Sequence, residues 1–414
     1  MRKLGVVVGL VALVVGLASP GVRADDPPSD RVPPEQDNGK LGKDDSNGGP
    51  PPFTACSKAA TTPGGSRLVR PLPVGPTADD GTFLFTTGVC IYLPPGYDAA
   101  TTRYPVLYLL HGGGGDAADW INFGSLQKTV DAAGGNLIVV MPDGSNGLWY
   151  DAPDGSLKNE TYVIDYLVPW IDRHLRTIPD RRARAITGLS NGGLGSMVLA
   201  AKHPDLFVAA GSMSGNLGGY LHEYDQQNRP AYHDGNTPTP LASNLDDVAL
   251  TIRWGATCNP MGDLQEDLCG AWGFEQLFRY DNQLFHSTLT ELGNDHVYQE
   301  TEGGHAWRWW TPWLAEDHLP FLLPRLADPE PIDAPAIVSA PPATWRYKSI
   351  SAHFTIWGYD VTVERDTEEF LALTDVTATS MTLTGSGVVT VRTPSGAVHT
   401  VDLGADGGTK TIAT

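Results

Sequence analysis

Residues 184–193 read Arg184-Ala-Ile-Thr-Gly188-Leu189-Ser190-Asn191-Gly192-Gly193, and the next ten residues, to about His203, are helix-like. A short β-type run, a glycine-flanked serine and a helix have the form of a nucleophile elbow. The glycines let the backbone turn sharply and pack closely, so the serine hydroxyl projects above a sheet edge. A bare G-x-S-x-G is weak in a chain with 47 Gly. The strand–turn–helix context separates it from a glycine-rich turn that carries a surface serine.

Around this stretch, β-type runs alternate with helical patterns: Tyr104–Leu110, Leu137–Met141, Ala185–Thr187, Val208–Ser212, Ala249–Trp254 and Val297–Thr301. Strands spaced by helices predict a mainly parallel sheet covered on both faces. One helix begins where Asn159 is placed to cap it. Val163, Ile164, Leu167, Val168, Ile171 and Leu175 form its stripe, and Pro169 predicts a kink or break. Past Ala327 the pattern changes. Residues 328–342 are proline-rich and read as a stiff linker. In 343–414, Phe354–Ile356, Val361–Val363, Met381–Leu383 and Val389–Val391 alternate with period two, which predicts a small all-β sandwich.

The ends and the charge narrow the functional classes. Arg2 and Lys3, an apolar run from Leu4 to Ala18 and small residues at Val22 and Ala24 predict a secretory leader over 1–24, too short to span a membrane. Residues 25–53, rich in Pro, Gly and acids, read as a disordered linker, leaving 54–327 as the main domain. Across the 414 residues, 28 Lys+Arg face 48 Asp+Glu, a net charge of −20, which argues against nucleic acid as a partner. The four cysteines fit an exported, extracellular protein, with Cys56–Cys90 and Cys258–Cys269 favoured because each closes a local loop.

A serine needs a base. Of the 11 His, His305 in Glu302-Gly-Gly-His305-Ala-Trp307 follows the last strand and lies C-terminal to Ser190. His174, His203, His286, His318, His353 and His399 read as surface or capping residues, and His111 as ordering the glycine loop it precedes. That loop, His111-Gly112-Gly113-Gly114-Gly115, follows a strand and lacks the Lys-Ser/Thr of a phosphate loop. The N–H groups of Gly113 and Asn191 are the expected oxyanion donors. Trp149 and Trp307 are candidates for a substrate wall. Trp345, Trp357 and Tyr359 are read chiefly as sandwich core, with a carbohydrate platform as the rival. No metal or organic cofactor is expected, since there is no H-E-x-x-H and no nucleotide loop.

Residues from about 83 to 325 resemble the esterase family of α/β-hydrolases. That family includes secreted feruloyl and acetyl-xylan esterases, S-formylglutathione hydrolase and the antigen 85 mycolyltransferases. The resemblance rests on Tyr104–Gly113, Val139–Gly144, Ala185–Gly193 and Gly303–Trp307, in the family's order. It implies an α/β-hydrolase fold, Ser190 as nucleophile, His305 as base and Gly113 and Asn191 as oxyanion donors. The implied reaction is hydrolysis of a small-molecule or polymer-linked ester. Acyl transfer to a sugar hydroxyl is the nearest alternative, and a non-catalytic binding protein a further one. The triad acid departs from the family's pattern: the first carboxylate after Gly255 is Asp263, with Glu266 and Asp267 behind it. Asp263 is the expected acid, and Asp281 and Asp295 are weaker candidates.

Overall fold

The structure is a computed structural model that describes residues 56, 61–69, 88–144, 149–219, 228–257, 272–336 and 338–414. The expected leader, the 25–53 linker and the Cys258–Cys269 pair lie outside these residues. Ten strands come first: β1 (Arg67–Val69), β2 (Val89–Leu93), β3 (Thr102–Arg103), β4 (Val106–Leu110), β5 (Ile138–Pro142), β6 (Arg184–Leu189), β7 (Ala209–Met213), β8 (Ala249–Thr257), β9 (His296–Glu302) and β10 (Glu330–Pro331). Eight of them form one sheet in the order β1-β2-β5-β4-β6-β7-β8-β9. From β5 to β9 every pairing is parallel, while β2 runs antiparallel to both β1 and β5.

Every residue of β4, β5 and β7 is buried, as strands covered on both faces require. Val106, Tyr108 and Leu110 point into one core with Leu199, Phe285 and Leu289. Leu107 and Leu109 face the other side, with Trp120, Leu126, Trp313 and Leu319. This sheet order, with an antiparallel β2 and helices on both faces, is an α/β-hydrolase fold. Cys56 and Cys90 form a disulfide that ties the segment before β1 to β2.

The helix expected from Asn159 is interrupted, as Pro169 predicts. A π-helical stretch, Tyr162–Leu167, precedes Val168–His174, whose first turn holds the proline. A proline has no N–H to donate, and its ring is tolerated in a first turn. Asn159 does not cap this helix; its side chain is buried and donates to the Gly144 carbonyl at 2.9 Å.

Beyond β10 the chain forms β11 (Trp345–Ser349), β12 (His353–Ile356), β13 (Tyr359–Glu364), β14 (Leu371–Val376), β15 (Ser380–Gly385), β16 (Val388–Arg392), β17 (Val398–Asp402) and β18 (Gly408–Ala413). Two antiparallel four-stranded sheets result, β11-β14-β15-β18 and β12-β13-β16-β17. Trp345 and Tyr359 meet edge to face inside the sandwich. Trp357 is half-buried, with the Arg181 guanidinium 5.5 Å from its ring centroid. Trp345 and Tyr359 serve the sandwich core, and Trp357 packs against its edge.

The proline-rich segment is docked along the larger domain. β10 pairs with β3, and the Ser339 N–H and hydroxyl both donate to the Asp180 carboxylate at 2.7 Å. The sandwich also sits against that domain. Arg346 forks onto Asp246, and Ile350 packs on Tyr150, Leu194, Val198 and Tyr232. Among the described residues, no helix is long and apolar enough to cross a membrane.

Candidate active site

β6 ends at Leu189 and the helix Asn191–Lys202 starts immediately, so one residue must reverse the chain. Ser190 does so at φ 54° and ψ −122°, a conformation that costs an L-residue energy and persists only where its surroundings enforce it. Here they do. A methyl on Gly188 would lie 2.5 Å from the Gly192 carbonyl oxygen, and one on Gly192 would lie 2.5 Å from that of His111. Only hydrogen fits between the elbow and the strand beside it.

Ser190 and His305 are brought together. His305 Nε2 lies 2.9 Å from Ser190 Oγ, and Nδ1 lies 3.2 Å from Glu275 Oε1. The second carboxylate oxygen of Glu275 accepts the Gly255 N–H at 3.1 Å. The Glu275 side chain is fully buried and that of His305 is 10% exposed. A buried carboxylate on Nδ1 fixes the imidazole with its free lone pair aimed at the serine, so Ser190 Oγ–H donates to Nε2. Phe274, Phe278 and Trp310 surround the imidazole at ring centroid distances of 5.4, 5.6 and 4.9 Å. Trp310 is held by donating its indole N–H to Ser214 Oγ at 3.1 Å.

Asp263, Glu266 and Asp267 lie outside the described residues. The carboxylate that meets His305 is none of the residues expected from sequence. Glu275 opens the helix Trp272–Leu292, on the face it shares with Phe278, Asn282, Phe285 and Leu289, all buried. A carboxylate on the buried stripe of an amphipathic helix was the available signal. Of the weaker candidates, Asp281 packs its carboxylate against the Gly218 backbone, and Asp295 is exposed before β9.

The glycine loop after β4 lies beside the elbow: a methyl on Gly112 would stand 3.2 Å from Ser190 Cβ. Gly113 is exposed. Asn191 sits in the first helical turn, where backbone N–H groups lack intrahelical acceptors and the helix dipole is positive. The Asn191 side chain is tied back, its Oδ1 accepting from Asn216 Nδ2 at 3.2 Å. His111 anchors the loop from beneath. Gly144 N–H donates to its Nε2 at 2.9 Å, which leaves Nδ1–H to donate to the Gly112 carbonyl at 2.7 Å. Burial pushes this imidazole down to about 4, so it stays neutral and orders the loop.

Trp149, expected in a substrate wall, is fully buried. Its indole donates to the His111 carbonyl at 3.3 Å and fills the space left by Gly144 and Gly195, so it supports the loop from behind. Trp307 is half-buried and lies beside Trp310, with the exposed Phe123 ring 5.7 Å away.

The Esterase family model, described as "Putative esterase", matches residues 86–321, a span that runs from just ahead of β2 to beyond His305. The chain belongs to this esterase family. An esterase of Mycobacterium tuberculosis is 42% identical to it over 132 residues, 31% of this chain and 29% of that relative. The chain therefore spans less than a third of that relative's length. The MPT51/MPB51 antigen of Mycobacterium bovis is 36% identical over 189 residues, 45% of this chain and 52% of the antigen. A solved ferulic acid esterase aligns at 25% identity with a TM-score of 0.47, covering 58% of this esterase-family chain and 92% of its own. The sandwich lies wholly outside the residues that the family model matches.

Proposed function

We propose that the protein is a secreted serine hydrolase that cleaves a carboxylic ester through an acyl-enzyme. The observation that carries this reading is the continuous chain from Ser190 Oγ through both nitrogens of His305 to the buried Glu275. His305 Nε2 takes the hydroxyl proton as Ser190 Oγ bonds to the ester carbonyl carbon. Glu275 stabilises the imidazolium through Nδ1–H. The N–H groups of Gly113 and Asn191 hold the negative oxygen of the tetrahedral intermediate. His305 then protonates the departing alcohol, and a water deprotonated by the same imidazole releases the acid. Export rests on the leader-like residues 1–24 and on the Cys56–Cys90 disulfide.

A fluorophosphonate probe tests the reading. It is expected to label wild-type protein at Ser190 and to leave Ser190→Ala unlabelled, with p-nitrophenyl acetate turnover lost in parallel. Labelling of another residue, or turnover that survives in Ser190→Ala, would reject it.

A further inference from the structure

A surface helix needs one apolar stripe, the one facing the core. The helix Trp272–Leu292 has two. Phe278, Phe285 and Leu289 supply the first, buried against the sheet. Phe274, Leu277, Tyr280 and Leu284 supply the second, and they are 41%, 44%, 65% and 39% exposed. Steps of three, three and four residues keep these four within an arc of about 120°, over about 15 Å of helix. Lone exposed apolar side chains are ordinary; a contiguous row of large ones on one helix marks a surface that meets something apolar. Among the described residues, none buries this row.

Its position says what it meets. The row begins at Phe274, whose ring contacts that of His305 at 5.4 Å, and runs outward from there. Phe123, 59% exposed, stands beside Trp307, two residues from His305. Large exposed apolar groups therefore stand on more than one element at the Ser190–His305 pair. The net charge of −20 repels anionic surfaces such as acidic lipid headgroups. An apolar row continuous with the reacting groups on a strongly acidic protein fits an uncharged, water-insoluble ester phase.

We propose that this second stripe seats the protein on the surface of an insoluble, uncharged aliphatic ester, with its inner end at the reacting serine. The inference rests on the ester-hydrolase reading. It adds that substrate is taken from a surface as well as from solution.

The test follows hydrolysis of tributyrin as its concentration passes the solubility limit. It compares wild type with the triple variant Leu277→Glu/Tyr280→Glu/Leu284→Glu. None of the three contacts the Ser190–His305–Glu275 chain, and all three are exposed, so fluorophosphonate labelling and p-nitrophenyl acetate turnover should be unchanged in the variant. The wild-type rate should rise at least about tenfold once emulsion forms, the shift that about 1.4 kcal/mol of surface affinity gives. The variant should lose that rise.

A rise retained by the variant, or no rise in wild type that hydrolyses soluble ester, overturns the inference and leaves the hydrolase reading intact. A wild-type dimer that the triple substitution converts to monomer, with the emulsion rate preserved, would assign the stripe to self-association instead. Wild type that neither labels nor turns over soluble ester would remove both.

Discussion

The two β regions of this molecule solve burial in different ways. In the large sheet, β4 and β7 are buried at every position, whereas in the sandwich β11 and β13 alternate buried with open residues. A parallel sheet enclosed on both faces has no solvent-facing strand surface on which to place chemistry, so reactive groups gather where its strands end. Ser190 follows β6, the glycine loop follows β4 and His305 follows β9. The sandwich has free outer faces, yet its aromatic residues turn inward because so small a core needs them. The same residue type thus lines the site in one region and fills the core in the other.

The comparison breaks first at the acid. If function is confined to the strand ends of the large sheet, Glu275→Gln should lower turnover of p-nitrophenyl acetate on the order of 10⁴-fold. The amide still accepts the Gly255 N–H, but an NH₂ facing His305 Nδ1 favours the wrong tautomer. Ser190→Ala should lose more, with no change in folding, since alanine meets the same strain at φ 54°. Near-wild-type turnover in Glu275→Gln would return the acid role to Asp263, Glu266 or Asp267.

The same contrast governs what the sequence made legible. The parallel strands read as short unbroken apolar runs, and β4 through β9 lie within a few residues of where those runs predict them. In the sandwich, strands with clean alternation, such as β13 and β16, were visible. β18, Gly-Thr-Lys-Thr-Ile-Ala, was not, because an exposed edge strand carries almost no apolar signal. The serine and histidine sit in glycine-rich motifs, where backbone geometry restricts the sequence. Glu275 sits in no motif. It reaches His305 because a helix beginning 17 residues after Gly255 folds back over the sheet, a tertiary fact that proximity along the chain to β8 concealed. Trp149 departs from the expected substrate wall for a related reason: a loop tryptophan near the site can as well support the loop from behind.

A second contrast concerns protons. His111 and His318 are buried in the hydrolase region, and burial pushes their imidazoles down to about 4 and about 3. Both stay neutral in the fold but take up protons in the unfolded chain near pH 6.5. Between pH 6.5 and 4 the unfolded state therefore binds more protons, and folding stability falls as the pH is lowered. Each buried imidazole contributes a loss on the order of 3 kcal/mol by pH 4. Urea midpoints measured from pH 7 to pH 4.5 should fall steadily, and the His111 ring should remain neutral by NMR at pH 5. A His111 imidazolium signal at pH 5.5 in folded protein would contradict its role beneath the glycine loop.

The smallest effect expected lies where the two regions meet. Asn244 is buried, and its side chain behaves like a peptide group laid along the outer edge of β11. Its Nδ2 donates to the carbonyls of Lys348 and Ala201 at 2.9 and 3.0 Å, and its Oδ1 accepts the Lys348 N–H at 2.9 Å. On its other side β11 pairs with β14, so this one amide satisfies part of an edge that would otherwise stand open. Asn244→Ala leaves those backbone groups buried without partners, at a cost of about 1–3 kcal/mol. Asn244→Asp keeps the acceptor, loses the donors and sets a buried carboxylate against two carbonyl oxygens, so it should cost at least as much as Asn244→Ala. Neither substitution should change turnover of a soluble ester. Ala201 lies at the far end of the Asn191–Lys202 helix from Ser190, about 17 Å away along its axis. Thermal unfolding and p-nitrophenyl acetate kinetics on the same samples separate the outcomes. Lower stability with unchanged kcat keeps the regions independent, while a fall in kcat without loss of stability would mean that the sandwich reaches the nucleophile through that helix.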